Sequence, residues 1–262
     1  MTKETSTRFD DKSQSLMLAP LFILFFVALL SGAIAFYIPK INTSTYKLWL
    51  VFAGSYLFSI TIVHIFPDLF AQATQPALLG VCVLIGFFLQ QGLEFLSSGV
   101  EHGHIHVHEH KHHQELSAVW VLVALCVHAF LEGGMLAHGQ SGQHHHTSNT
   151  LLWGILLHKA PEAFALMSVL LCDVKSKAKA VLMLMIFAAA SPLGLFLSNY
   201  LVLNAWMSSQ VLMILFAVVT GNFLHISTTI VFESSADHKF NAKKMGIAIV
   251  AAGVAIATEM LF

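Results

Sequence analysis

Three observations predict an all-α integral membrane fold for this 262-residue chain. Hydrophobic residues make up 56% of it and charged residues only 10%, against roughly 25% charged in an ordinary soluble domain. The apolar residues fall into eight stretches near the roughly 20 residues that a helix needs to cross a bilayer. The lysines between those stretches lie in alternate loops. A chain this poor in polar groups cannot cover its surface in water, which argues against a soluble enzyme. A net charge of −1 without a basic patch argues against a nucleic-acid partner. The expected partner surface is the lipid bilayer, around one domain spanning 16–262.

Residues 1–15 are polar and mixed in charge, and read as a poorly ordered tail. The first stretch, 16–38, has a rival reading as a secretory signal, because Lys12 precedes it and Ala33-Ile34-Ala35 imitates a cleavage site. Its length, and Asp10 and Asp11 in the flank, favour an uncleaved first helix. The second stretch, 46–67, ends in His64-Ile65-Phe66-Pro67-Asp68. An imidazole and a carboxylate one turn apart suit an entrance for cations, and the alternative is an ordinary helix end broken by Pro67. The third, 77–97, carries Glu94 near its end.

A histidine-rich loop, 101–114, follows. It holds Glu101 and seven of the sixteen histidines: His102, His104, His106, His108, His110, His112 and His113. So much imidazole with so little apolar content reads as a solvated loop able to bind metal weakly and in many arrangements. The fourth stretch, 117–138, contains His128 and Glu132. The fifth, 150–172, contains His158, Lys159, Pro161 and Glu162, and His144-His145-His146 precedes it. The sixth, 178–202, contains Ser191-Pro192, a kink signal. The seventh, 208–232, carries His225 and is followed by Glu233 and His238; Glu94, Glu233 and His238 would suit an exit with exchangeable ligands. The eighth is 245–261. Cys82, Cys126 and Cys172 fall in apolar stretches without a Cys-x-x-Cys and read as inert thiols.

Lys40, Lys47, Lys111, Lys175, Lys177, Lys179, Lys239, Lys243 and Lys244 lie on one side, and the loops near 68–76, 139–149 and 203–208 have no lysine or arginine. The positive-inside rule makes the lysine side cytoplasmic and puts both termini outside. Gly54-Ser55-Tyr56-Leu57 echoes Gly221-Asn222-Phe223-Leu224 in stretches that run in opposite directions, the pattern of inverted repeats.

The two phrases with the most chemistry are His128-Ala129-Phe130-Leu131-Glu132 and His158-Lys159-Ala160-Pro161-Glu162. Residues i and i+4 of a helix share a face, with Cβ atoms about 5–6 Å apart. Each phrase therefore offers an imidazole beside a carboxylate at a depth where ionisable groups are costly and functional. Facing each other, the two helices would supply four N/O ligands for a divalent metal, and the cation would offset the cost of burying two carboxylates. Pro161 has no N–H for the carbonyl of Leu157, so the helix should bend there. Lys159 can neutralise a carboxylate, stand in the place of a second metal, or snorkel along a water-filled path.

At these residues the chain resembles the ZIP (Zrt/Irt-like) transporters. The resemblance runs from the first stretch to the eighth. It is carried by His128-Ala-Phe-Leu-Glu132-Gly133 and His158-Lys-Ala-Pro-Glu162-Ala-Phe, supported by His64-Ile-Phe-Pro-Asp68, Ser191-Pro192-Leu193-Gly194, Gly221-Asn-Phe-Leu224 and the histidine-rich loop. It implies eight helices in a 3+2+3 arrangement, with the first and last three related as inverted repeats. It also implies a metal site on the fourth and fifth helices, a homodimer, and import of zinc or a similar dication (Fe2+, Mn2+ or Cd2+) as substrate rather than cofactor. The chain departs from two-metal members of the family, which carry a polar residue at Ala129, an acid at Lys159 and a glutamate at Ser191. The resemblance with these departures implies one transported metal held by His128, Glu132, His158 and Glu162. A membrane metalloenzyme that activates water at the same ligands, or a metal-sensing membrane protein, is the alternative. No further acid/base residue stands beside the pairs, which favours transport.

Overall fold

The computed structural model describes residues 3–37, 43–71, 73–97, 114–141, 145–233 and 241–261, and these are helical, with no strand among them. The elements are α1 (Lys3–Ile34), α2 (Thr43–Ile60), a π-helical turn (Thr61–Ile65), α3 (Phe66–Ala71), α4 (Pro76–Ser97), α5 (Gln114–Ser141), α6 (His145–Asp173), α7 (Lys177–Leu203), α8 (Ser209–Glu233) and α9 (Ala242–Leu261). Among the described residues, six segments are long and apolar enough to cross a membrane: Thr45–Ala71, Pro76–Leu96, Ala118–Ala137, Leu151–Leu171, Lys177–Leu203 and Gln210–Val231. The apolar part of α1, Leu18–Ile34, is shorter.

The expected tail differs: α1 runs back to Lys3 as helix. Its polar residues include no Gly or Pro before Pro20, so nothing in them interrupts helical propagation. Pro67 does not end its helix either. It cannot donate a hydrogen bond back along the chain, and the backbone widens into the π turn just before it, where Phe66 N–H donates to the Thr61 carbonyl. The second apolar stretch is thus one helical path from Thr43 to Ala71 with a π turn at His64. Pro161 and Pro192 lie inside unbroken helices.

Two groups of helices can be traced from their contacts. α5 packs on α7 and α6, and α1 on α6 and α7; α4 packs on α8, and α2 on α8 and α9; the two groups meet where α2 lies on α6 and where α4 and α8 lie on α5. In lipid, apolar area alone does not drive helices together, so close backbone approach at small residues matters more. α5 and α7 touch backbone to backbone: a Cβ on Gly133 would fall on the Ser191 carbonyl, and one on Gly194 on the Phe130 carbonyl. α4 and α8 cross the same way, with Gly86 against the Val218 carbonyl and Gly221 against that of Val83.

The apolar interior is divided in two. On α5, Ala118 to Ala129 belong to one cluster, and Met135 to Ala137 to the other. On α6, Leu151 to Leu156 lie in the second cluster and Ala163 to Leu170 in the first; on α7, Ala180 to Ala190 lie in the first and Leu195 in the second. The buried polar residues His128, Glu132, His158, Lys159, Glu162 and Ser191 fall where the clusters meet. The helix ends on the side of the first cluster carry lysines. There Asn241 caps α9, its Oδ1 accepting from the N–H groups of Lys243 (3.1 Å) and Lys244 (3.2 Å). The Lys244 ammonium has a lowered pKa, through burial first and the charge of Lys47 second.

Candidate metal centre

The helical period brings His128 and Glu132 of α5 onto one face, where His128 Nε2 lies 2.9 Å from Glu132 Oε1. On α6, Lys159 and Glu162 share a face one turn apart, with Nζ 3.5 Å from Glu162 Oε2. Because α5 lies against α6, Lys159 also crosses to Glu132, and its Nζ donates to Oε2 at 3.0 Å. The His128 and His158 rings meet edge to face with centroids 5.8 Å apart. One ligand atom each from His128, Glu132 and His158 lies within 4.8 Å of the others. All five side chains are fully buried.

Three of the four expected ligands therefore converge. Glu162 stands one step out, held by Lys159 rather than joined to the three, because the ammonium sits between the two carboxylates. Nor does Lys159 snorkel: besides the carboxylates it lies over the Phe187 ring of α7, 4.6 Å from the centroid. The walls are fixed by hydrogen bonds to backbone. Ser191 Oγ donates to the Ala129 carbonyl at 2.8 Å, tying α7 to α5, and Tyr46 Oη of α2 donates to the Pro161 carbonyl at 3.1 Å. Two imidazoles and a carboxylate are a donor set that suits zinc or a similar cation.

At the π turn, His64 does more than face Asp68. Its Nε2 is 3.6 Å from Asp68 Oδ2, and its Nδ1 is 2.7 Å from Glu259 Oε1 of α9. Glu259 went unread in the sequence, although it is the only acid of the eighth apolar stretch and charges in such stretches are seldom idle. Glu94 and His225, read separately, are partners: Glu94 Oε2 of α4 lies 2.6 Å from His225 Nε2 of α8. Phe87 packs edge-on against that imidazole, centroids 4.7 Å apart. Glu233 ends α8. His238, His144 and the loop histidines His102, His104, His106, His108, His110, His112 and His113 lie outside the described residues. Cys82 and Cys126 are free thiols.

A family model described as ZIP Zinc transporter matches residues 96–260, well over half of the chain and the whole of α5 to α8, including both His/Glu phrases. With six long apolar helices among the described residues, the match makes this a multi-pass membrane protein whose metal ion is cargo and not a catalytic cofactor. The chain belongs to the ZIP family of zinc transporters, and is a transporter of divalent metal ions rather than an enzyme.

Proposed function

We propose that this transporter carries zinc, or a similar dication, into the cytoplasm through a mid-membrane site formed by His128, Glu132, His158 and Glu162. The observation that carries the reading is the convergence of His128, Glu132 and His158 at one fully buried point. Lys159 supplies the positive charge that a second ion would supply elsewhere. Two carboxylates and one ammonium leave a single negative charge with the imidazoles neutral, so one dication is accommodated and a second is opposed.

The fold we propose around this site has eight transmembrane helices in a 3+2+3 arrangement, over a domain of 16–262 that follows the polar segment 1–15. The first and last three helices are inverted repeats, both termini face outward, and the assembly is a homodimer in a plasma or bacterial inner membrane. His64 and Asp68 form the outer entrance, and Glu259 joins them on the strength of its 2.7 Å contact. Glu94, Glu233 and His238 serve the exit, and the histidine-rich loop takes up metal on the cytoplasmic side. Movement of one helix group against the other would open the site to each face in turn; the division of contacts into two groups supports this.

Zinc uptake into proteoliposomes tests the assignment. Glu132→Ala should abolish flux and Glu162→Ala should do the same, with the protein still folded and inserted, because a dication then meets too few ligands. Flux within a factor of about two of the parent chain in the Glu162→Ala protein would refute the site, since losing a true ligand costs far more.

A further inference from the structure

Outside the centre, two His–carboxylate contacts link different apolar stretches among the described residues, and they are related to each other. His64 of the second apolar stretch meets Glu259 of the eighth at 2.7 Å, and His225 of the seventh meets Glu94 of the third at 2.6 Å. Exchanging second with seventh and third with eighth turns one pair into the other, and that is the exchange an inverted repeat makes. The two pairs also lie toward opposite ends of the bundle. α2 and α9 carry lysines near their starts, Lys47 and then Lys243 and Lys244, and His64, in the π turn that continues α2, and Glu259, near the end of α9, lie at the far ends of these paths. Glu94 stands in the last turn of α4, and His225 in the last third of α8.

The inner pair is not needed to hold its helices together. α4 and α8 already cross at Gly86 and Gly221. With its amide oriented to donate, Asn222 reaches the Gly86 carbonyl at 2.6 Å. The pair adds two costly ionisable groups to an interface that small residues fix, with side chains only 7% (His225) and 20% (Glu94) exposed. Within a membrane such groups mark ion or proton paths. An imidazole nitrogen converging with a carboxylate oxygen is also the chemistry of the centre, where His128 meets Glu132.

We propose that His225 and Glu94 form a metal-binding station on the cytoplasmic side of the mid-membrane site, the inner image of His64 and Glu259, for zinc-like dications on their way out. This rests on the transport reading and adds His225 to the exit. Two protein ligands hold a dication weakly, which is what release demands: a site on a conduction path must be shallow enough to leave.

Anomalous diffraction from crystals of the full chain soaked with cadmium alone tests the station. The expected result is a peak between His225 Nε2 and the Glu94 carboxylate, lost in His225→Phe while the mid-membrane peak persists. Should that variant fail to fold, Glu94→Gln, which keeps the hydrogen bond but not the charge, must remove or strongly weaken the peak. Crystals with cadmium at His128 and His158 but none at His225 would overturn the proposal and leave an interhelical ion pair. A peak at His225 with none at the centre would sustain the station and count against the mid-membrane assignment instead, so the two failures are distinguishable.

Discussion

At the centre of the bundle, His128, Glu132, His158, Lys159 and Glu162 are all fully buried; around the π turn that follows α2 the side chains of His64, Asp68 and Glu259 are 10, 41 and 28% exposed. Both places combine imidazole with two carboxylates, but only the centre has an ammonium among them. The difference follows from burial. Near the surface, water screens the surplus negative charge and an ion pair is worth about 1 kcal/mol or less. In the interior the same surplus is much more costly, and removing one partner of a buried pair costs about 3–5 kcal/mol. Lys159 is thus part of the price of placing two glutamates between two apolar clusters. The more exposed group has no such ammonium among its partners.

The walls that keep the centre closed are the place to break this contrast most severely. Gly194→Leu would drive a side chain into the Phe130 carbonyl, in the stretch of α5 that carries His128 and Glu132. Overpacking a tight core costs about 1–3 kcal/mol where side chains can move, and here backbone must move instead. We expect most of the protein to be lost from the monodisperse peak in detergent size-exclusion chromatography. A Gly80→Leu control should leave that peak intact, since nothing lies within 4 Å of a Cβ built at Gly80.

The internal cation gives a sharper test of what separates the two regions. Lys159→Asp replaces the ammonium between Glu132 and Glu162 by a third carboxylate. A unit charge pair 4 Å apart is worth roughly 4 kcal/mol at an effective dielectric of about 20, and a dication doubles that repulsion. Removing it should raise the metal content of the bundle from one ion to two. The count should be made by elemental analysis on proteins lacking the loop histidines and with both the His64–Glu259 and the His225–Glu94 pairs neutralised. Equal counts in the two proteins would mean that Lys159 does not set the number of ions.

How far these regions could be read from sequence depends on whether a contact lies along a helix or between helices. His128 with Glu132 and Lys159 with Glu162 follow from 3.6 residues per turn, and the apolar stretches give the helices to within a few residues of their ends, the start of α1 apart. The seat of Lys159 over Phe187, the bond from Ser191 to the Ala129 carbonyl, and the partners Glu259 of His64 and Glu94 of His225 all cross between helices. They depend on how far each helix is rotated and how closely it approaches its neighbour, which no local pattern encodes. Glycines Gly133 and Gly194 set one such approach, and in sequence they look like ordinary small residues. Pro67 shows the opposite limit. Its missing N–H was legible, but a π turn absorbs it where a helix end was expected.

The smallest effect is expected at the outer group and completes the contrast. Glu259→Gln keeps an oxygen to partner His64 Nδ1 and removes only the charge, at a position where water can screen the loss. An exposed charge of this kind contributes about 1 kcal/mol or less, which corresponds to at most a roughly fivefold rise in the zinc concentration for half-maximal uptake. Maximal flux should stay near that of the parent chain, because loss of an attracting charge slows capture and leaves the buried ligands untouched. Proteoliposome uptake over a range of external zinc separates the two quantities, and raising ionic strength should narrow the gap between the proteins. If Glu259→Gln instead cut maximal flux as deeply as Glu132→Ala, the outer carboxylate would be an obligatory ligand in the cycle, and the distinction drawn from burial would fail.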